Sequence, residues 1–161
     1  MKSFKRLCTF LVVAVIAVFA VIGASENYKP LKTSGSVPEK LFTQEITPSD
    51  EIRMGIVEGS VTPLGVKVAY INESQRRYEY GEAFSLQKLV DGQWYTMSWI
   101  NDNVGFLAVA YLLEPGRVEK EYSWRLMHGE IEPGQYRIVT SVNPENDYDS
   151  NVFLEATFSI E

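Results

Sequence analysis

The sequence predicts an all-β fold, an antiparallel β-sandwich of seven to eight strands that follows an apolar N-terminal segment. Three observations carry this prediction. From about residue 50 onward, short β segments alternate with turn residues at the spacing of a sandwich. A tight hairpin is centred on Asp91-Gly92, and the last segment, Asn151 to Ile160, places five apolar side chains on one face. The folded domain is therefore expected to extend over residues 50–161.

The hairpin from Tyr78 to Trp99 is the clearest local signal. Asp91-Gly92 is the dipeptide that a two-residue type I′ turn favours, since both central positions need a positive φ. A turn this tight also sets the register of the two strands. The face expected to point into the core has Phe84 opposite Trp99, Leu86 opposite Met97, Lys88 opposite Tyr95 and Val90 opposite Gln93. The polar face has Ser85 opposite Ser98, Gln87 opposite Thr96, and Leu89 opposite Trp94.

Leu89 and Trp94 form a large apolar pair on that otherwise polar face. Tryptophan is a frequent anchor in protein interfaces, so the pair is a candidate contact site for a partner. The alternative is that a neighbouring loop or edge strand covers both side chains, because single exposed hydrophobic residues are ordinary.

The composition indicates one globular domain. Of the 161 residues, 22% are charged and 45% are hydrophobic. The formal net charge is -6, and because three basic residues precede the apolar start, the remainder of the chain carries -9. An acidic domain without a basic stripe is a poor binder of phosphates, which excludes nucleic acid as a partner. Cys8, the only cysteine, lies in the apolar start, so the domain forms no internal disulfide.

The N-terminus has the organisation of an export signal. Residues 1–6 are basic, and residues 7–24 are apolar and uncharged, as in a secretory signal. Gly23-Ala24-Ser25 offers the small residues that a signal peptidase needs, whereas the length of the apolar run is also near the minimum for a membrane-spanning helix. Residues 1–24 are thus a signal peptide or a signal anchor, with the domain outside the membrane in either case. A lipid anchor on Cys8 is rejected, because Cys8 lies at the near end of the apolar run.

Residues 25–49 mix Pro, Ser, Thr, Lys and Glu without a sustained period, which predicts a flexible linker. An alternative is that Leu41 and Phe42 begin a short first strand. The domain would then start about ten residues earlier.

Within the domain, the first predicted strands are Ile52 to Glu58 and Gly65 to Ile71. In the second of these, Val66, Val68 and Tyr70 share a face. Residues 72–77 are a polar turn, and this turn explains Asn72-Glu73-Ser74 better than the glycosylation sequon that it also matches.

The second half of the domain begins with Val104 to Leu113, which is apolar on both alternating sets and predicts a strand covered on both faces, or a short helix. Glu-Pro-Gly turns at residues 114–116 and 132–134 supply Pro for one central position and Gly for a positive φ. Each is expected to launch a strand, Arg117 to Trp124 and Gln135 to Val142. Tyr136 follows the second turn, where the hydroxyl of a tyrosine corner would bond to upstream backbone.

No motif predicts catalysis, a metal or another cofactor. The one histidine, His128, has no nucleophile motif beside it and is expected on the surface next to a turn. Residues 147–151 imitate the first half of a calcium loop, but Val152 stands where the loop needs Gly and the second half is missing. A solvated acidic loop is therefore expected, and Asp147 and Asp149 are a second candidate contact site.

An ordered series of residues is similar to a known family. The series is Tyr80-Gly81-Glu82, Phe84, Leu86, Val90-Asp91-Gly92, Trp94-Tyr95, Tyr111, Leu113, Pro115-Gly116, Trp124, Gly129, Pro133-Gly134, Tyr136-Arg137-Ile138, Phe158 and Ile160. It resembles the bacterial immunoglobulin-like domain of exported proteins and lipoproteins, over about residues 50–161. The resemblance implies an immunoglobulin-like β-sandwich without known catalysis, although the chain lacks the lipobox of lipoprotein members. A more distant likeness is to the bacterial intracellular proteinase inhibitor family.

The function expected from fold and location is an exported, non-enzymatic module that binds an extracellular protein or an envelope component through sheet edges or loops. Two alternatives stay open. One is an extracellular proteinase inhibitor that presents residues 143–150 or 72–77, and the other is an enzyme with an unrecognised carboxylate site. Contact with the membrane is expected only through the N-terminal segment.

Overall fold

The structure, a computed structural model, describes residues 38–41, 46 and 49–161. The predicted signal segment and most of the predicted linker lie outside these residues. The described elements are β1 (Pro38–Leu41), β2 (Ile52–Ile56), β3 (Gly65–Asn72), β4 (Tyr78–Tyr80), β5 (Ser85–Val90), β6 (Gln93–Met97), β7 (Tyr111–Leu113), β8 (Gly116–Ser123), α1 (Arg125–His128), β9 (Gly134–Pro144) and β10 (Val152–Ile160). In this part of the chain, no helix has the length and apolar character needed to cross a membrane.

The strands form two antiparallel sheets. The larger follows the order β1-β6-β5-β9-β4-β7, with β10 also paired to β9, and the smaller follows β2-β3-β8. Strand β9 holds the larger sheet together because it pairs with three strands: β10 along most of its length, β5 through residues 136–139 and β4 through residues 142–144. The predicted immunoglobulin-like sandwich is confirmed, and the short strands β1, β4 and β7 bring its strand number to ten among the described residues.

The core lies between the sheets and is filled by alternate residues of the long strands, as a period of two requires. Val66, Val68 and Tyr70 of β3 are fully buried on one face, as predicted. From the other sheet, β10 contributes Leu154, Ala156, Phe158 and Ile160, which are also predicted inward positions. The remaining buried members are Ile52, Met54, Tyr78, Tyr80, Leu86, Met97, Leu113, Tyr122, Trp124, Ile131, Tyr136, Ile138 and Val142.

The hairpin turn is confirmed. Asp91 and Gly92 have φ values of 51° and 78°, as a type I′ turn requires. The predicted pairs Gln87 with Thr96, Lys88 with Tyr95, Leu89 with Trp94 and Val90 with Gln93 are all present. Trp99 is 39% exposed, so its inward placement was wrong; it lies beyond the end of β6, where strand alternation no longer sets the direction of its side chain.

Both Pro-Gly segments launch strands, as predicted, but the glycine φ values of 124° and 155° lie beyond the value of about 80° in the predicted type II turn. Gly116 and Gly134 have positive φ values and begin β8 and β9. The tyrosine corner is confirmed, because the hydroxyl of Tyr136 donates a 2.9 Å hydrogen bond to the carbonyl oxygen of Glu132.

Two segments differ from the expectation. Strand β1 lies within the segment assigned to the linker and pairs with β6, so the option of a short first strand applies. The double coverage expected for Val104 to Leu113 was wrong. Only β7 is regular in that segment, and the side chain of Leu107 is 74% exposed. The physical reason is position, because β7 is an edge strand whose one described partner is β4.

Every described strand and every core residue belongs to one compact unit, Leu31–Glu161. Both sheets and the whole described core lie within it, as expected of a polypeptide that folds by itself.

Candidate functional site

Leu89 and Trp94 lie on the outer face of the larger sheet, opposite to the core. They are cross-strand neighbours on β5 and β6, and both side chains are half-buried. Since side chains alternate along each strand, Gln87, Arg137 and Glu155 share this outer face. We call these five residues the Trp94 surface.

Arg137 organises the Trp94 surface. Its guanidinium carbon lies 4.5 Å from the centroid of the Trp94 ring, a cation–π contact. Its Nε donates a 2.6 Å hydrogen bond to Oε1 of Gln87, and its Nη1 lies 2.6 Å from Oε2 of Glu155. One side chain therefore joins three strands of the sheet and holds the indole ring in place.

Gln87 lies on the face of the hairpin that was predicted to be polar, but it is not exposed to solvent. Its side chain is fully buried, its oxygen accepts a hydrogen bond from Arg137, and its nitrogen lies 3.4 Å from Ser85 Oγ. A buried amide is tolerated when both of its ends find partners, and here the partners come from the same face.

Beside Trp94 the outer face has a shallow hollow. Its volume is about 310 Å³, and its exposed lining includes Gln135, Thr157 and Ser159. These neutral side chains offer amide and hydroxyl groups next to an aromatic ring, a combination suited to a polar partner surface.

The acidic loop, the second candidate contact site, has a different character. Asp149 is exposed and Asp147 is half-buried, and the amide of Asp147 donates to the carbonyl oxygen of Pro144 at 2.9 Å. Asn143 Nδ2 donates to Asn151 Oδ1 at 3.1 Å, which engages one oxygen of the calcium-loop pattern. Across residues 38–41, 46 and 49–161, no three His, Cys, Asp or Glu side chains gather as metal ligands would.

His128 was expected on the surface, and this was wrong. It is the last residue of α1 and only 2% of it is exposed. Its Nδ1 lies 3.0 Å from the carbonyl oxygen of Ser98, so Nδ1 must carry the proton and donate it. Burial lowers the pKa of His128, although the bond to Ser98 opposes part of that shift.

This burial predicts a stability that depends on pH. Because the folded state has the lower His128 pKa, the unfolded chain binds a proton first as the pH falls. The contribution of His128 to the free energy of unfolding is fully present above the pKa of this residue in the unfolded chain, about 6.5. Below that pH, the free energy of unfolding decreases by at most about 1.4 kcal/mol per pH unit. Urea unfolding between about pH 8 and about pH 5 measures this slope. The His128→Gln variant should show a shallower slope over the same range, and an equal slope would contradict the assignment.

A second polar cluster closes the edge of the sandwich between β7 and β8. Lys120 Nζ lies 2.7 Å from Oε1 of Glu82, and the hydroxyl of Tyr111 donates to the same oxygen at 2.6 Å. Lys120 also lies over the Tyr111 ring, 4.6 Å from its centroid. The Lys120 ammonium and the Tyr111 hydroxyl lower the pKa of Glu82, which stabilises its ionised form.

Sequence reasoning missed both clusters. Lys120 lies between Val118 and Tyr122 among the alternate residues of β8 that face inward. This position is a signal that the sequence does contain, because an inward-facing charge needs a partner. The Arg137 cluster had no such signal. It depends on the register of β5 against β9, and these strands are distant in sequence.

The chain is similar to a known protein family and to a solved structure. The sequence model described as the bacterial Ig-like domain, Big_14, matches residues 48–158. No curated protein matches the chain in sequence. One similar solved structure is BslA, described as a bacterial hydrophobin, with 10% identity, a TM-score of 0.35, and coverage of 71% of this chain and 97% of that one. A likeness of that size carries no argument. The family model, in contrast, spans well over half of the sequence, and the chain belongs to the bacterial Ig-like domain family.

Proposed function

We propose that the chain is an exported, non-enzymatic binding module that contacts an extracellular protein or an envelope component through the Trp94 surface. The observation that carries the proposal is the Trp94 ring, half-buried on an outer sheet face and held by Arg137. Membership of the family supports a binding or structural module.

The Trp94 surface is suited to binding because its anchor is already ordered. Four strands supply its residues, and the guanidinium of Arg137 is restrained by Gln87 and Glu155. A partner that packs against Trp94 would therefore pay little to immobilise it. Aromatic and arginine side chains are also the types that most often dominate interface energies.

The described groups offer little support for catalysis. His128 is buried and bonded to backbone, and Glu82 is held ionised by Lys120 and Tyr111. Neither group forms a nucleophile and base pair with a described neighbour. No specific observation among the described residues supports the alternative function of an extracellular proteinase inhibitor. In residues 72–77, the Asn72 side chain bonds to the backbone oxygen of Arg76 at 2.7 Å and to Ser74, which makes a compact turn.

Export rests on the basic start and the apolar run of residues 7–24. Cell fractionation with mass determination tests it. A chain shortened by about the first 24 residues, or an intact chain in the membrane fraction, supports export. An intact chain confined to the cytosol overturns it.

The binding test uses the unit Leu31–Glu161 and a bacterial cell-envelope preparation, with the bound fraction measured by co-sedimentation. The Trp94→Ala variant is expected to bind about tenfold more weakly or worse, as for an interface hot spot. The control is Arg53→Ala, which removes an exposed side chain from β2 of the smaller sheet, outside both candidate contact sites, and should leave binding unchanged.

Thermal melting of each variant must first show a cooperative transition, so that lost binding is not lost folding. Equal binding by folded Trp94→Ala and the parent unit would refute the assignment of the contact surface. Absence of binding by the parent unit would refute the proposed envelope contact.

A further inference from the structure

Outside the five residues of the Trp94 surface, other large apolar side chains are exposed. Leu107 is 74% exposed, Leu126 is 59% exposed, and Trp99, Val109 and Leu112 are also exposed. They come from the chain after β6, from β7 and from α1. We call these five residues the apolar edge.

Contacts tie the apolar edge to the sandwich. Trp99 packs edge-on against Phe106 with ring centroids 5.7 Å apart, and Phe106 packs in the same way against the core-contacting Phe84 at 5.1 Å. The amide of Ile100 donates to the carbonyl oxygen of Met127 at 2.7 Å, which joins the segment after β6 to α1. The apolar tips are therefore presented from an ordered base.

The segment that carries Leu107, Val109 and Leu112 differs in charge from the rest of the domain, although Glu82 and Glu121 line the hollow beside Leu107. Residues 103–113 contain no Asp, Glu, Lys or Arg, although acidic residues far outnumber basic ones in the domain. An uncharged, apolar stretch on an acidic domain points to a partner recognised by hydrophobic contact.

The position of the apolar edge relative to the N-terminal chain suggests which partner. Pro38 of β1 pairs with Met97, only two residues before Trp99. The chain therefore enters the described sheet at Pro38, near Trp99 of the apolar edge, and residues 25–37 separate Pro38 from the apolar run 7–24. Thirteen residues span at most about 45 Å when fully extended. An anchor at residues 7–24 would therefore hold Pro38, and the apolar edge beside it, within about this distance of the bilayer.

We propose that the apolar edge docks on the surface of a lipid bilayer. Trp99 would lie at the headgroup level, where tryptophan is favoured, and Leu107 and Leu126 would reach the start of the acyl region. Docking is shallow, because the backbone of residues 104–110 is irregular and loses hydrogen bonds to water if it enters hydrocarbon. Zwitterionic lipid is the preferred surface, since anionic headgroups repel an acidic domain.

This inference rests on the proposed export but not on Trp94, so docking on protein-free lipid vesicles can fail while the Trp94 surface still binds its partner. It extends the expected membrane contact from the N-terminal segment to the domain itself. A tether that holds the domain near the surface raises its effective concentration there, so weak docking by the isolated unit suffices.

The test measures flotation of the unit Leu31–Glu161 with phosphatidylcholine vesicles, and quenching of its tryptophan fluorescence by brominated phosphatidylcholine. The parent unit should float with the vesicles and be quenched, and Trp99→Phe should float but lose most of the quenching. Leu107→Asp should lower the bound fraction about tenfold, since it removes one leucine side chain from contact with the lipid and adds a charge there. Phosphatidylglycerol should weaken binding at low salt, and added salt should restore it.

Tyr148→Asp is the matched control, because Tyr148 is exposed in the acidic loop, away from the apolar edge in sequence. It should bind vesicles like the parent unit, and an equal loss in Leu107→Asp and Tyr148→Asp would overturn the proposal. A folded parent unit that stays away from vesicles would also overturn it. So would a dimer in light scattering that Leu107→Asp dissociates without any vesicle binding, since a second copy would then occupy the edge.

Discussion

Replacing Trp124 with alanine is expected to destabilise the domain by about 3–5 kcal/mol, the usual cost of removing a fully buried aromatic side chain. Trp124 is completely buried, its Nε1 donates to the carbonyl oxygen of Pro63 at 2.8 Å, and its ring stacks on Phe158 with centroids 5.6 Å apart. The substitution leaves a cavity between the two sheets and also leaves the Pro63 carbonyl without this donor. Urea unfolding of the unit Leu31–Glu161 measures the loss.

The matched control is Trp99→Ala, which removes the same side chain from the exposed apolar edge. Its expected cost is about 1 kcal/mol, since it forfeits mainly the edge-on contact with Phe106. Equal losses for the two variants would show that the burial of Trp124 does not govern the stability of the sandwich.

Replacing Arg137 with methionine is expected to cost about 2–4 kcal/mol, although the position faces away from the core. The variant keeps the aliphatic length of the side chain but removes the donors to Gln87 and Glu155. Gln87 is fully buried, so its Oε1 loses its partner without access to water. Glu155 contributes less, because more than a third of its side chain is exposed.

A double-mutant cycle with Gln87→Met separates these contributions. If the buried amide carries most of the cost, the double variant should be clearly more stable than the sum of the two single losses predicts. Strict additivity would contradict the coupling. The same Arg137→Met protein should bind the envelope preparation more weakly, because Trp94 loses the cation that restrains its ring.

Much of the fold could be predicted because its signals are local. The type I′ turn needs only Asp91 and Gly92, and the tyrosine corner needs only Tyr136 four residues after Glu132. Alternation identified the inward faces of β3 and β10 for the same reason, since a strand repeats every two residues whatever it packs against.

The errors share a different cause. The run from Val104 to Leu113 has the composition of a covered strand, yet its burial depended on whether other chain lay over it, and β7 is at an edge of the sheet. His128 has the neighbours of a turn residue, yet α1 and the segment around Ser98 enclose it. Neither fact is encoded in the residues next to these positions.

The candidate site divides in the same way. Leu89 and Trp94 could be paired from the hairpin alone, whereas Gln87, Arg137 and Glu155 joined them only through the register of β5, β9 and β10. The sequence by itself determined the class of fold, the hairpin register and the inward faces, because turn chemistry and alternation act over a few residues. Only the tertiary structure decided which side chains are covered and which charges meet, because burial and ion pairing depend on strands brought together from distant parts of the chain.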